Sequence, residues 1–119
     1  MPGRFGGNLD CPDVCKGSRL YLPVFVEGGL LSLGDVHAIQ GDGESSSPVE
    51  VSSETSLTLN VVRGKTIKWP RIETPDYIET IGVTKPIDDA FKIAFTEMVK
   101  WLVEDYGFEK WDANLFVGL

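Results

Sequence analysis

The chain has one histidine and two cysteines in 119 residues, and its 11 Lys and Arg are outnumbered by 18 Asp and Glu, giving a net charge of −7. Each shortage excludes something. Phosphate-backbone binding depends on clustered cationic side chains that release counterions. Lys65 and Lys68, with Arg63 and Arg71, make only a short basic stretch around a turn, so no nucleic-acid partner is expected. No apolar run approaches the roughly 20 residues that span a bilayer, and the Gly-rich opening from Met1 to Gly7 lacks the apolar core of a secretory signal. A soluble, cytoplasmic protein with no membrane partner is therefore expected. Cys11 and Cys15 stand C-x3-C in a polar turn, with no second pair to complete a four-thiolate zinc site. Reduced structural thiols are the plain reading, with a disulfide or half of a metal site as alternatives.

An apolar content of 42% is enough for one domain, residues 1–119, with its own core. The opening to Gly17 reads as loop. From Ser18 to Val26, Leu20, Leu22, Val24 and Val26 alternate with Tyr21, Pro23 and Phe25, which predicts a strand covered on both sides, at an edge or bulged because Pro23 cannot donate to a ladder. Val49–Val61 carries the clearest period of two, with Val49, Val51, Leu57, Leu59 and Val61 on one face and Glu50, Ser52, Glu54, Thr58 and Asn60 on the other; a half-buried strand is predicted. Thr66–Trp69 and Tyr77–Val83 offer further short strands between turns. Ile87, Ala90, Phe91, Ala94, Met98, Trp101 and Leu102 recur at three and four, Pro86 suits a first turn and Gly107 a C-terminal cap, so a helix with a core-facing stripe is predicted. A second helix is predicted from about Glu109 through Trp111 and Leu115. The fold class is α+β, mainly β: a sandwich- or barrel-like sheet with one or two C-terminal helices packed on it. The apolar ending Val117-Gly118-Leu119 suggests a continuation.

Chemistry concentrates in Gly34-Asp35-Val36-His37-Ala38-Ile39-Gln40-Gly41-Asp42-Gly43-Glu44, where three carboxylates, the sole histidine and one amide fall within eleven residues. Loops mounted on strands are where catalytic groups usually sit, and the glycines permit turns that let side chains converge. Asp, His and Glu are a ligand set for a divalent metal, imidazole favouring zinc and carboxylates tolerating harder ions such as calcium. Residues i and i+2 of an extended segment share a face, so Asp35 and His37 can chelate together while Glu44 serves as ligand or general base. Asp10, on its own loop, can complete the set. The bland alternative is a solvated acidic turn with a hydrogen-bonded histidine. The spacing is not that of H-E-x-x-H, nor does it follow the calcium-loop frame.

The chain resembles the acetamidase/formamidase family of small-amide hydrolases. The resemblance runs through Pro2-Gly3-Arg4, Gly6-Gly7-Asn8-Leu9-Asp10, Gly17-Ser18-Arg19-Leu20-Tyr21-Leu22-Pro23-Val24, the Gly34–Glu44 run, and Lys68-Trp69-Pro70-Arg71-Ile72-Glu73-Thr74-Pro75. It implies hydrolysis of the C–N bond of a short linear amide, such as formamide or acetamide, to a carboxylate and ammonia. It also implies a β-rich fold, a divalent metal (zinc, or calcium) and a homodimer. Carried onto matching positions, it puts Asn8, Asp10, Asp35, His37, Gln40 and Glu44 in the pocket. Asp10, Asp35, His37 and Glu44 are then the metal-ligand set; Asp35, His37 and Glu44 are the catalytic residues, with Glu44 as general base. Asn8 or Gln40 is the hydrogen-bond donor to substrate. Members of the family are longer, so the chain reads as an internal or C-terminal portion. It departs from the family pattern at Ser45-Ser46-Ser47-Pro48 and at Phe5. The competing expectation is a non-catalytic β-domain that binds a metal or a partner chain.

Overall fold

A computed structural model describes residues 2–119. Three short strands, β1 (Arg19–Tyr21), β2 (Arg71–Glu73) and β3 (Ile78–Thr80), precede two helices, α1 (Ile87–Tyr106) and α2 (Lys110–Val117). The strands form one antiparallel sheet in the order β1-β2-β3, with Leu20 opposite Ile72 and Ile72 opposite Glu79. The architecture is α+β, with α1 against the sheet and α2 against α1.

The middle strand owes its place to a compact apolar and aromatic cluster. Ile72 is fully buried, Trp101 and Leu102 are buried on α1, and Ala113 is buried where α2 packs on α1. The Tyr21 ring meets Trp101 edge-on at 5.8 Å, a favoured aromatic geometry. The Arg71 guanidinium lies over the same indole at 5.4 Å. Arg71 and Glu97 are both buried; Arg71 donates to Glu97 at 3.4 Å and to Glu104 at 3.2 Å, while Lys100 reaches Glu97 at 2.8 Å. Across the sheet Arg19 pairs with Glu73 at 3.0 Å, and the Tyr21 hydroxyl donates to Glu73 at 2.6 Å.

The predicted helix runs to Gly107, whose positive φ of 73° is the left-handed C-cap that glycine takes at least cost. Asp88 and Asp89 fall in its first turn, where carboxylates meet the positive end of the helix dipole. Just after β3 the backbone presses against α1: the Thr80 hydroxyl donates to the Ala94 carbonyl at 2.7 Å, and a Cβ at Gly82 would lie 2.1 Å from the Ala90 carbonyl oxygen. Gly82 is thus held by close packing of strand end on helix.

The sheet differs from the sequence expectation in extent. Only Arg19–Tyr21 of Ser18–Val26 and Ile78–Thr80 of Tyr77–Val83 are in strands, Thr66–Trp69 is not, and Arg71–Glu73 supplies the central strand. Val49–Val61 forms no strand beyond one bridge at Glu50. Its Leu57, Leu59 and Val61 are 49, 68 and 76% exposed. A period of two marks a face able to be buried, but a strand also needs a neighbouring backbone to take its hydrogen bonds, and past Val51 no backbone among the described residues does so. For a related reason Ile87 and Phe91, at the head of the apolar stripe of α1, are exposed: a sheet of three-residue strands covers only the middle of the helix.

Candidate functional site

The Gly34–Glu44 run folds back on the segment that follows it. Ala38 N–H donates to the Val49 carbonyl at 2.9 Å and Val51 N–H to the Val36 carbonyl at 3.1 Å. These flanking bonds make His37 and Glu50 an antiparallel bridge of the non-hydrogen-bonded type, in which facing side chains come closest. That register places the Glu50 carboxylate on His37.

The His37 side chain is 7% exposed and ringed by oxygen. Its Nε2 is 3.0 Å from Asp35 Oδ1 and 3.3 Å from Glu50 Oε1; its Nδ1 is 2.5 Å from Gln40 Oε1 and 3.6 Å from Glu44 Oε2. The Gln40 contact is the main influence lifting the imidazole pKa above its usual 6.5; burial opposes the rise, and Asp35 and Glu50 reinforce it. Glu44 Oε2 is buried and has no hydrogen-bond partner. Ligand atoms of Asp35, His37 and Glu50 all lie within 4.8 Å of one another. An imidazole with two carboxylates is a donor set that suits a divalent cation, so the residues fit the metal expected from the sequence.

Asn8 and Asp10 sit on the neighbouring loop. Asn8 Nδ2 donates to Asp10 Oδ1 at 2.9 Å, and the Asp10 carbonyl accepts from Gly43 N–H at 2.7 Å. The two loops are joined through backbone, and the Asp10 carboxylate is not in the convergent set with His37. Among the described residues four that are not glycine have positive φ, and three of them, Asn8, Asp10 and Asp35, belong to the expected pocket. Asn and Asp tolerate that region better than most residues, and backbone held there clusters at functional sites.

Where Asp42 leaves this loop it meets a second group. Cys11, Asp13 and Asp42 present ligand atoms within 4.8 Å of one another, the Cys11 thiol lies 3.8 Å from Glu79, and the Tyr77 hydroxyl donates to Asp13 at 2.6 Å. Burial raises the Cys11 thiol pKa, and burial followed by the hydrogen bond that a protonated Glu79 donates to Asp13 raises that of Glu79. Cys11 and Cys15 are free thiols.

Of the other sequence-expected residues, Asp35, Gln40 and Glu44 therefore touch or nearly touch the His37 ring, while Asn8 and Asp10 lie on a loop joined to it through Gly43. Glu50 is the residue that sequence reasoning missed, since it was assigned to the solvent face of a strand. A signal was present: Val49-Glu50-Val51 mirrors Val36-His37-Ala38, each with a polar residue between apolar ones, as two strands paired about those centres require.

Residues 1–118 match the profile of the Acetamidase/Formamidase family. An acetamidase of Mycolicibacterium smegmatis is 40% identical over 85 residues, 70% of this chain and 18% of the relative. A formamidase of Methylophilus methylotrophus is 37% identical over 70 residues, 57% of this chain and 17% of the relative. The crystal structure of an acetamidase from Yersinia enterocolitica superposes with a TM-score of 0.93 at 42% identity, covering 99% of this chain and 36% of that one. The chain thus spans under a fifth of those two relatives and little more than a third of the solved structure.

Proposed function

Because the chain belongs to the Acetamidase/Formamidase family, we propose that it carries pocket residues for hydrolysing the C–N bond of short linear amides, of the formamide and acetamide class, to carboxylate and ammonia. The observation that supports this best is the His37 ring enclosed by Asp35, Gln40, Glu44 and Glu50 from two facing segments. A divalent cation, zinc or calcium, held by Asp35 and His37 next to Asp10 and Glu44, would supply Lewis acidity toward the amide carbonyl and lower the pKa of water. The protein's groups do the rest. Glu44, with one carboxylate oxygen buried and unpartnered, accepts a proton from the water whose oxygen attacks the carbonyl carbon, then returns it to the nitrogen as the C–N bond breaks and ammonia leaves. Gln40, with its oxygen on the ring, keeps its NH2 group to donate to the developing oxyanion, as does Asn8 with its remaining N–H. On this reading the amidase acts in the cytoplasm as a homodimer on a small amide, without a nucleic-acid partner. No helix among the described residues is long and apolar enough to cross a membrane.

The test is ammonia release from formamide and acetamide, with metal content measured in parallel and the assay repeated after chelation. Activity lost on chelation and restored by zinc or calcium supports the reading, and Glu44→Gln abolishes turnover with the circular dichroism unchanged. Full activity in that variant removes Glu44 from the mechanism.

The exposed apolar residues of Val49–Val61 favour a second reading, a domain that binds a partner chain without turnover. Unpaired strand-like segments are templates for association. A strictly monomeric species by light scattering, joined to ammonia release, excludes it.

A further inference from the structure

We propose that Glu50 is a cation ligand beside Asp35 and His37, that His37 binds through Nε2, and that Gln40 is a positioning residue which fixes the ring tautomer. This rests on the metal-assisted reading above and assigns atoms within it.

The imidazole faces two ways. A histidine that ligates through one nitrogen carries its proton on the other, and the hydrogen bond made there decides which is which. Gln40 Oε1, 2.5 Å from Nδ1, is an acceptor, so Nδ1 carries an N–H and Nε2 is the nitrogen left to ligate. Nε2 faces two carboxylate oxygens, Asp35 Oδ1 at 3.0 Å and Glu50 Oε1 at 3.3 Å. A proton on Nε2, donated to Asp35, satisfies these atoms in the cation-free protein, and a divalent cation would take that proton's place among the three donor atoms.

The separations fit a small divalent cation. Zinc bonds of roughly 2.0 to 2.1 Å in a tetrahedral shell place neighbouring ligand atoms about 3.3 Å apart, close to the two nitrogen–oxygen distances observed. Calcium, with longer bonds of about 2.3 to 2.6 Å but six to eight ligands, gives separations in the same range, so it is the imidazole in the set that favours zinc. Glu44 approaches Nδ1, at 3.6 Å, and so faces the protonated nitrogen, not the metal-binding one. It stays outside the ligand set and keeps its carboxylate for proton transfer. Glu50 owes its position to the backbone bridge with His37, which holds the carboxylate near the ring before any ion arrives.

A single histidine in the chain makes the test unambiguous. Long-range proton–nitrogen spectra of the nitrogen-15-labelled protein, titrated with zinc alone, contain one imidazole. The expected result is a ligated Nε2 with the proton retained on Nδ1. Glu50→Gln weakens zinc by at least about tenfold, Glu44→Gln leaves zinc affinity unchanged, and Gln40→Leu weakens it by about 10- to 100-fold and loses the single tautomer, which Gln40→Glu restores by supplying an acceptor again. Zinc that leaves the ring spectrum untouched overturns the metal reading and this assignment together. Zinc ligated through Nδ1, or a Glu50→Gln protein that binds as tightly as the unsubstituted chain while Glu44→Gln does not, overturns the assignment and leaves the metal reading standing. The spectrum of the unsubstituted chain decides the nitrogen even where a variant fails to fold.

Discussion

Arg71 is the residue whose removal tests how the sheet and α1 are held together. Its side chain is 3% exposed, that of Glu97 is 4% exposed, and the guanidinium also reaches Glu104 and lies over Trp101. Substituting Arg71→Met keeps most of the volume and the apolar contact with the indole, but strands the Glu97 carboxylate in the core. Breaking one side of a buried ion pair costs about 3–5 kcal/mol. Lys100 remains on Glu97 at 2.8 Å, from a side chain that is 41% exposed, so the low end applies, about 3 kcal/mol. For a domain of this size that lowers Tm by roughly 12 °C. Replacing both partners removes the stranded charge, and Arg71→Met with Glu97→Leu should recover about 2 kcal/mol of the loss, because a well-packed apolar pair can match a buried ion pair. Urea and thermal denaturation followed by circular dichroism give the double-mutant cycle. A single substitution costing less than about 1 kcal/mol, or a double substitution costing the sum of the two singles, refutes the reasoning.

Three further outcomes follow from the geometry. Gly82→Ala puts a methyl 2.1 Å from the Ala90 carbonyl oxygen, which forces α1 off the sheet, weakens the bond from Thr80 to Ala94 and costs about 3 kcal/mol in chemical denaturation; an unchanged midpoint shows that the contact relaxes freely. Ile72→Ala, at the fully buried centre of β2, costs about 2–5 kcal/mol by the same assay, and a loss under about 1 kcal/mol places the core elsewhere. The hydrogen bond to the Asp13 carboxylate is the chief cause that pushes the Tyr77 phenol up to about 12 from 10.0. A folded-state value above the unfolded one stabilises fully below pH 10 and is lost as pH rises toward 12. Tyr21 is raised as well, by its hydrogen bond to Glu73, so phenolate absorbance should show a late component that loses one phenol in Tyr77→Phe, and a band complete well below pH 12 contradicts it.

How much of this was legible in the sequence depended on the range of the contacts involved. The helix Ile87–Tyr106 could be read almost to its ends because its signals are local: apolar spacing, Pro86 before it and Gly107 after it. The same spacing says nothing about what covers a face, so Ile87 and Phe91 were expected in the core and are exposed. Leu57, Leu59 and Val61 tell the same story for a strand: alternation records the capacity to pair, and pairing needs a partner. The central strand Arg71–Glu73 escaped notice because three residues between Pro70 and Thr74 are too short for any period.

The candidate site divides along the same line. Asp35, His37 and Gln40 meet through separations of two and three, which sequence order alone predicts. Glu50, thirteen positions from His37, arrives through two backbone hydrogen bonds between Val36–Ala38 and Val49–Val51, and only a register can supply that. Both kinds of contact lie within residues 35–51, so the surroundings of His37 do not depend on the faces left uncovered elsewhere. A cation site built this way should survive when the exposed apolar segment after it is altered. Charged substitutions at Leu59 and Val61 should change association by light scattering and leave zinc affinity as it was. Loss of zinc in those variants means that the site is held by the cover and not by its own loop.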